Sequence, residues 1–214
     1  MKIKICGIRR MEDVRALNRL MPDYAGFVFA DSRRRITKKE AAAFRQALDP
    51  AIRTVGVFVN ERPEVIERLC EEGILNAVQL HGSEGEGDIC RIRQITSLPV
   101  IKAVRVRSRE DVRAAVGLSA DYLLFDTYTE RDYGGSGTCF DWSMLSGTGR
   151  PFFLAGGLNP QNIRQAAEST RPYAVDVSSG VETDGYKDAG KIEAFIRAVR
   201  EGEAFGTEGG NQNE

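Results

Sequence analysis

The chain is almost without histidine. His81 stands alone among 214 residues, and the four cysteines, Cys6, Cys70, Cys90 and Cys139, form no CxxC pair. A structural zinc site or a disulfide framework needs such groups at close, repeated spacing, so no metal is expected and the thiols are read as reduced. An excess of charge of one sign is also missing. Lys and Arg total 30 against 31 Asp and Glu, a net charge of -1, which leaves no global basic field to hold nucleic acid or an anionic membrane. No apolar run approaches the roughly 18 residues that cross a bilayer, and Met1-Lys2-Ile3-Lys4-Ile5 has no continuous apolar signal core. The expectation is a cytoplasmic protein, monomer or homodimer, whose partner is a small molecule rather than nucleic acid or membrane.

What is present is enough apolar material for one substantial core, 42% of residues. Short apolar runs alternate with segments of helical periodicity. The runs read as strands cover 2–6, 24–29, 53–59, 77–80, 100–104, 122–126, 152–154 and 174–177. Helices fit 11–20, 37–48, 63–70, 88–95 and 161–168, with further apolar faces at Val112, Ala115 and Val116 and at Ile192, Phe195, Ile196 and Val199. Between strands six and seven only 142–145 offers a helical pattern. Repeated βα units give a parallel sheet wrapped by helices, and eight units favour closure into a single (β/α)8 TIM barrel over residues 1–200. Residues 201–214, rich in Gly and acid, are expected to be a disordered tail.

The turn Leu154-Ala155-Gly156-Gly157-Leu158-Asn159-Pro160 ends a strand on two glycines, with Asn as an N-cap and Pro at a first helical position. Glycine lets a ligand approach the backbone, and free N–H groups near a helix start favour an anion. Strand eight ends in a second small turn, Ser178-Ser179-Gly180. Barrels often build phosphate sites from the loops after strands seven and eight, so this barrel is read as the phosphate-binding type, with Gly156, Gly157, Ser179 and Gly180 around the phosphate. A third Gly-rich stretch, 133–138, suits either a lid or a plain surface loop.

Strand ends face the active site of such a barrel, and they carry Cys6, Asp126 and Asp176. Cys6 is either a small buried hydrophobe or a catalytic thiol. Asp126 closes an apolar run, where a carboxylate is costly unless something pairs with it or uses it. Together a thiol and a carboxyl can take a proton from carbon and give one to oxygen, which suits an isomerisation. Arg33, Arg34 and Arg35 follow strand two, where a guanidinium can hold a carboxylate, although a solvated basic turn reads the same way. His81 ends strand four as a substrate contact or a structural histidine. Lys102, within strand five, is either packed in an internal ion pair or a Schiff-base nucleophile, which would make the barrel an aldolase. A third reading is a catalytically silent barrel that binds a phosphorylated ligand.

The motifs Lys4-Ile5-Cys6-Gly7-Ile8, Gly26-Phe27-Val28-Phe29 with Ser32-Arg33-Arg34, Gln79-Leu80-His81-Gly82, Gly134-Gly135-Ser136-Gly137 with Phe140-Asp141-Trp142, Ala155-Gly156-Gly157-Leu158 and Asp176-Val177-Ser178-Ser179-Gly180-Val181-Glu182 resemble, in order and spacing, those of phosphoribosylanthranilate isomerases of tryptophan biosynthesis. The resemblance runs from residue 2 to about 198. It implies a barrel enzyme without cofactor that performs an Amadori rearrangement of N-(5′-phosphoribosyl)anthranilate to 1-(2-carboxyphenylamino)-1-deoxyribulose 5-phosphate. It further implies Cys6 as general base, Asp126 as general acid, Arg34 as the anthranilate-binding arginine and Asp176 as a contact to the reacting part of the substrate. The sequence departs from the family where Ser-Pro-Arg-Tyr is usual, reading Ser32-Arg33-Arg34-Arg35.

Overall fold

In the computed structural model, which describes residues 1–127 and 140–206, eight strands pair in parallel in chain order and the eighth closes onto the first. They are β1 (Lys2–Cys6), β2 (Tyr24–Val28), β3 (Arg53–Phe58), β4 (Ala77–Leu80), β5 (Val100–Val106), β6 (Tyr122–Thr127), β7 (Phe152–Leu154) and β8 (Ala174–Val177). Helices α1 (Met11–Leu20), α2 (Lys38–Ala47), α3 (Pro63–Glu71), α4 (Glu86–Ile95), α5 (Arg109–Val116), α6 (Ile163–Thr170) and α7 (Ala189–Gly206) lie in the connections and after β8. The barrel expected from eight βα units is therefore present. Only the short 3-10 turn Trp142–Leu145 is described between β6 and β7. The stretch 133–138 and Cys139 lie outside the described residues, as do 207–214.

Alternation along the strands decides what reaches the site. Successive strand side chains point to opposite faces, and in a closed barrel one face looks inward while the other packs under helices. Ile3 and Ile5 of β1, Val78 and Leu80 of β4, Leu123 and Phe125 of β6 and Val175 and Val177 of β8 belong to the core shared with the helices. Tyr24, Val55, Ala77, Ile101, Leu124, Phe153 and Ala174 form a separate inner cluster that plugs the barrel. Its aromatic rings interlock, Tyr122 stacking on Tyr173 at 4.8 Å and meeting Phe153 edge-on at 5.6 Å. Above that plug, Cys6, Val28 and Val57 make a small third cluster at the C-terminal mouth.

Two differences from the sequence reading bear on the site. The regular part of α6 starts at Ile163, not at Pro160. Asn159 caps the preceding turn instead, its Oδ1 accepting from the N–H groups of Gln161 at 2.9 Å and Asn162 at 3.1 Å. After β8 comes a two-stranded hairpin that no periodicity announces, β9 (Glu182–Thr183) paired antiparallel with β10 (Tyr186–Lys187). At the far end, α7 continues through Gly206, past residue 200 where the sequence reading ended the barrel.

Candidate active site

A cavity of ≈ 380 Å³ opens at the C-terminal mouth of the barrel and takes lining from β1, β2, β3, β4, β6 and the turns after β7 and β8. Of the residues singled out by sequence, Cys6, Arg34, His81, Asp126, Gly156, Gly157, Asp176 and Ser179 line it. Gly180 does not. It sits where a Cβ would overlap the Leu158 carbonyl oxygen, so its bare backbone lets the turn after β8 pack on the turn after β7.

Cys6 stands at the end of β1, directly before Gly7, whose φ of +86° is left-handed backbone that a side chain resists. A Cβ on Gly7 would come within 2.5 Å of Arg34 Cδ, and one on Gly26 within 2.7 Å of Cys6 Sγ. These two glycines make the space in which the thiol and the guanidinium sit. Cys6 is buried, and burial pushes its thiol up; Lys4 and Lys187 pull it down, and Asp176 adds an upward push. Net, the thiol lies above its ordinary value.

Lys4 was not expected here. It lies two residues before Cys6, hence on the same inner face of β1, and it is fully buried. Its Nζ donates to Asp176 Oδ2 at 2.8 Å, from the neighbouring strand β8, where the two residues are in register. Burial opposes the Lys4 charge, but Asp176 and Cys6 outweigh it and hold the ammonium above its usual value. The other oxygen, Asp176 Oδ1, is buried with no hydrogen-bond partner among the described residues.

Arg34 is clamped by a residue from the hairpin. Its Nε donates to Glu182 Oε1 at 2.8 Å and its Nη2 to Glu182 Oε2 at 3.0 Å, a two-pronged pair of the kind that fixes a guanidinium plane. Lys187 donates to the same Oε1 at 2.7 Å. Burial alone would raise the Glu182 carboxyl, but Arg34 and Lys187 lower it to about 2. Arg33 is more exposed and reaches Glu182 only at 3.4 Å, and Arg35 is exposed, so one arginine of the three enters the cavity wall.

Across the cavity, Asp126 Oδ2 is 3.3 Å from His81 Nε2, and His81 Nδ1 is 2.7 Å from Gln79 Nε2. With the Gln79 amide as donor, the imidazole carries its proton on Nε2, facing the carboxylate. Asp126 Oδ1 accepts from the Thr127 N–H at 2.8 Å. Gly156 (φ +86°) and Gly157 (φ +66°) both adopt left-handed backbone, and a Cβ on Gly156 would overlap the Thr127 N and Oγ1. Neither glycine N–H donates to a backbone acceptor among the described residues.

Lys102 is not part of this site. Its Nζ donates to Gly82 O at 2.8 Å and to Glu84 at 2.9 Å, on the flank of β4, and it does not line the cavity. The ion-pair reading of Lys102 thus holds and the Schiff-base reading falls. Lys4, Gln79, Ser178, Glu182 and Lys187 are site residues that sequence reasoning left without a role. Lys4 had a signal, its two-residue spacing from Cys6. Glu182 lay inside a motif and Lys187 carried none. Among the described residues, no helix is long and apolar enough to cross a membrane.

The model of the N-(5′-phosphoribosyl)anthranilate (PRA) isomerase family matches residues 3–198. An N-(5′-phosphoribosyl)anthranilate isomerase of Endomicrobium trichonymphae is 50% identical over 199 residues, covering 93% of this chain and 98% of the relative. The crystal structure of phosphoribosyl anthranilate isomerase from Thermotoga maritima superposes with a TM-score of 0.85 at 40% identity, covering 94% of this chain and 99% of that one. A further isomerase structure, solved in complex with reduced 1-(o-carboxyphenylamino)-1-deoxyribulose 5-phosphate, gives 0.82 at 38% identity with the same coverage. With half its positions shared with one isomerase along nearly the whole length, and with a closed barrel that matches the solved ones, the chain belongs to the N-(5′-phosphoribosyl)anthranilate isomerase family, enzymes of tryptophan biosynthesis.

Proposed function

We propose that this chain isomerises N-(5′-phosphoribosyl)anthranilate with Asp126 as general acid and Cys6 as general base. The observation that carries the assignment is one cavity lined by both groups, the thiol from β1 and the carboxyl from β6, with an arginine on one wall and two left-handed glycines on another. Asp126 protonates the furanose ring oxygen while the anthranilate nitrogen lone pair forms the C1′=N bond and the C1′–O bond breaks. Cys6, as thiolate, then removes the C2′ proton, and the C2′–H electrons neutralise the iminium to an enolamine. Tautomerisation, in which the C2′ hydroxyl loses its proton as C1′ gains one, leaves the C2′ ketone. All bond changes stay within one substrate, with no net oxidation or reduction, so the reading needs no cofactor.

His81, held by Gln79, orients the acid. Arg34, its plane fixed by Glu182, takes the anthranilate carboxylate. The unpartnered oxygen of Asp176 accepts a substrate hydroxyl. The phosphate rests on backbone N–H groups of the turns at Gly156, Gly157 and Ser179, where the left-handed pair makes an anion-binding concavity, and Gly180 lets the second turn pack on the first. We place the protein in the cytoplasm.

The test is turnover of authentic substrate, followed by the loss of anthranilate-type fluorescence, beside the same compound lacking its phosphate. The expected result is full turnover of the first and at least tenfold poorer kcat/KM for the second, since one or two charge-assisted hydrogen bonds contribute about 1.5–3 kcal/mol each. No turnover of the phosphorylated compound would sink the function, and equal kcat/KM for the two would sink the phosphate site.

A further inference from the structure

The proposed base is buried, which opposes its ionisation, so the site needs a source of positive charge beside the thiol. The charged groups that act on Cys6 are Lys4 on β1, Asp176 on β8 and Lys187 on β10, with Glu182 on β9 paired to Lys187 and with Arg34, His81 and Asp126 on the walls of the same cavity. Lys4 is the cation that pulls the thiol down most, but it is paired with Asp176, and that carboxylate works against a thiolate. The second cation that pulls the thiol down is Lys187, and among the described residues no carboxylate that works against the thiolate is paired with it.

Lys187 is an expensive residue to place. A buried ammonium costs several kcal/mol unless it is paired and hydrogen-bonded, and here its side chain is 1% exposed. It donates to Glu182 Oε1 at 2.7 Å and to Ser178 O at 2.9 Å, and it lies 3.4 Å from Ser178 Oγ. That hydroxyl in turn donates to the carbonyl of Cys6 at 3.1 Å. One residue thus separates the ammonium from Cys6. Its carboxylate partner is shared with Arg34 through the same oxygen, so Glu182 does not serve Lys187 alone.

The hairpin that carries Lys187 is fastened to the loop after β1. Arg9 and Arg10 lie over the Tyr186 ring at 4.7 and 4.3 Å. Arg10 donates to Lys187 O at 3.0 Å, and Arg9 donates to the carbonyl of Gly185. The fold therefore fixes the backbone that carries Lys187 against the loop that follows Cys6.

We propose that Lys187 is a positioning residue for the reaction: its ammonium, held between Glu182 and Ser178, supplies, beside Lys4, positive charge that lets Cys6 form a thiolate. This rests on the reading of Cys6 as base. Glu182 then has two tasks, to orient Arg34 and to restrain the charge of Lys187.

The experiment follows alkylation of Cys6 by iodoacetamide against pH, read on the Cys6 peptide by mass spectrometry, in the wild type, Lys187→Met, Lys187→Arg and Glu182→Gln. A cation within a few ångströms lowers an acid's midpoint by about 1–3 units. Lys187→Met is therefore expected to raise the midpoint by at least about one unit, with roughly tenfold less thiolate at neutral pH and a matching loss in kcat that recovers as pH rises. Lys187→Arg is expected to restore both. Glu182→Gln is expected to move the midpoint down, opposite in sign, whereas a merely structural role moves neither. A folded Lys187→Met with an unmoved midpoint overturns the proposal. If Lys187→Met does not fold, Glu182→Gln decides alone, and a midpoint that stays or rises overturns it. The alkylation curve does not depend on turnover, so Cys6→Ala active at the wild-type rate would refute the base and leave this measurement readable.

Discussion

Breaking the Lys4–Asp176 pair is the sharpest structural perturbation of the barrel that leaves its hydrophobic layers intact. Lys4 is fully buried, and its carboxylate partner is Asp176 at 2.8 Å. Removing one partner of such a pair leaves an uncompensated interior charge and costs about 3–5 kcal/mol, against a total stability of about 5–15 kcal/mol for a domain. At about 2–4 °C per kcal/mol for a chain of this size, either single variant should melt roughly 6–20 °C lower. Asp176→Asn should be the worse, because it strands the ammonium in the protein interior, whereas Lys4→Met leaves a carboxylate that borders the cavity. The double variant Lys4→Met/Asp176→Asn removes both charges and should be less damaging than the sum of the singles by about 2 kcal/mol or more. Equilibrium urea unfolding, followed by the fluorescence of Trp142, measures all four proteins. Singles that each cost under about 1 kcal/mol, or a double that is additive within about 0.5 kcal/mol, would refute the reasoning.

Three other outcomes are expected. Gly156→Ala forces a side chain into left-handed backbone and against Thr127; it should cost about 1–3 kcal/mol in stability and raise KM at least tenfold, and a KM within twofold of wild type speaks against the phosphate turn. Arg34→Lys keeps the charge but loses the two-pronged contact to Glu182; KM should rise with kcat less affected, and the assay is steady-state kinetics, where an unchanged KM removes Arg34 from carboxylate binding. Glu182 has its carboxyl depressed from 4.5 to about 2, so the stability it contributes is full above about 4.5 and is lost as pH falls toward 2. Wild type should lead Glu182→Gln in stability near pH 5 and lose that lead by pH 2, and a gap that stays constant across this range contradicts the pairing.

The strands were legible because a parallel barrel strand is buried on both faces and reads as a short apolar run. Helix spans were legible where apolar spacing was clear, as at α1, or where Pro63 marked a first turn, as at α3. Charged interior positions were harder to read. In Lys2-Ile3-Lys4-Ile5-Cys6 the alternation looks like lysines in solvent and isoleucines in a core, yet in a barrel wrapped by helices the isoleucines face outward to the helices and Lys4 faces in. Lys102 is buried for a different reason, its pair with Glu84. The hairpin β9–β10 has strands too short to show a period. The partners of Arg34 and Cys6 that it carries lie more than 140 residues away in sequence, and only the closure of β8 onto β1 brings them together.

The central claim is that the thiol of Cys6 and the carboxyl of Asp126 perform two different proton transfers in one cavity. Its most direct test is the turnover rate of Cys6→Ala and Asp126→Asn on N-(5′-phosphoribosyl)anthranilate, with circular dichroism to establish that both variants are folded. Each transfer contributes about 10²–10⁴-fold, so both rates should fall by at least two orders of magnitude. A folded variant of either kind that turns over within tenfold of wild type would contradict the account.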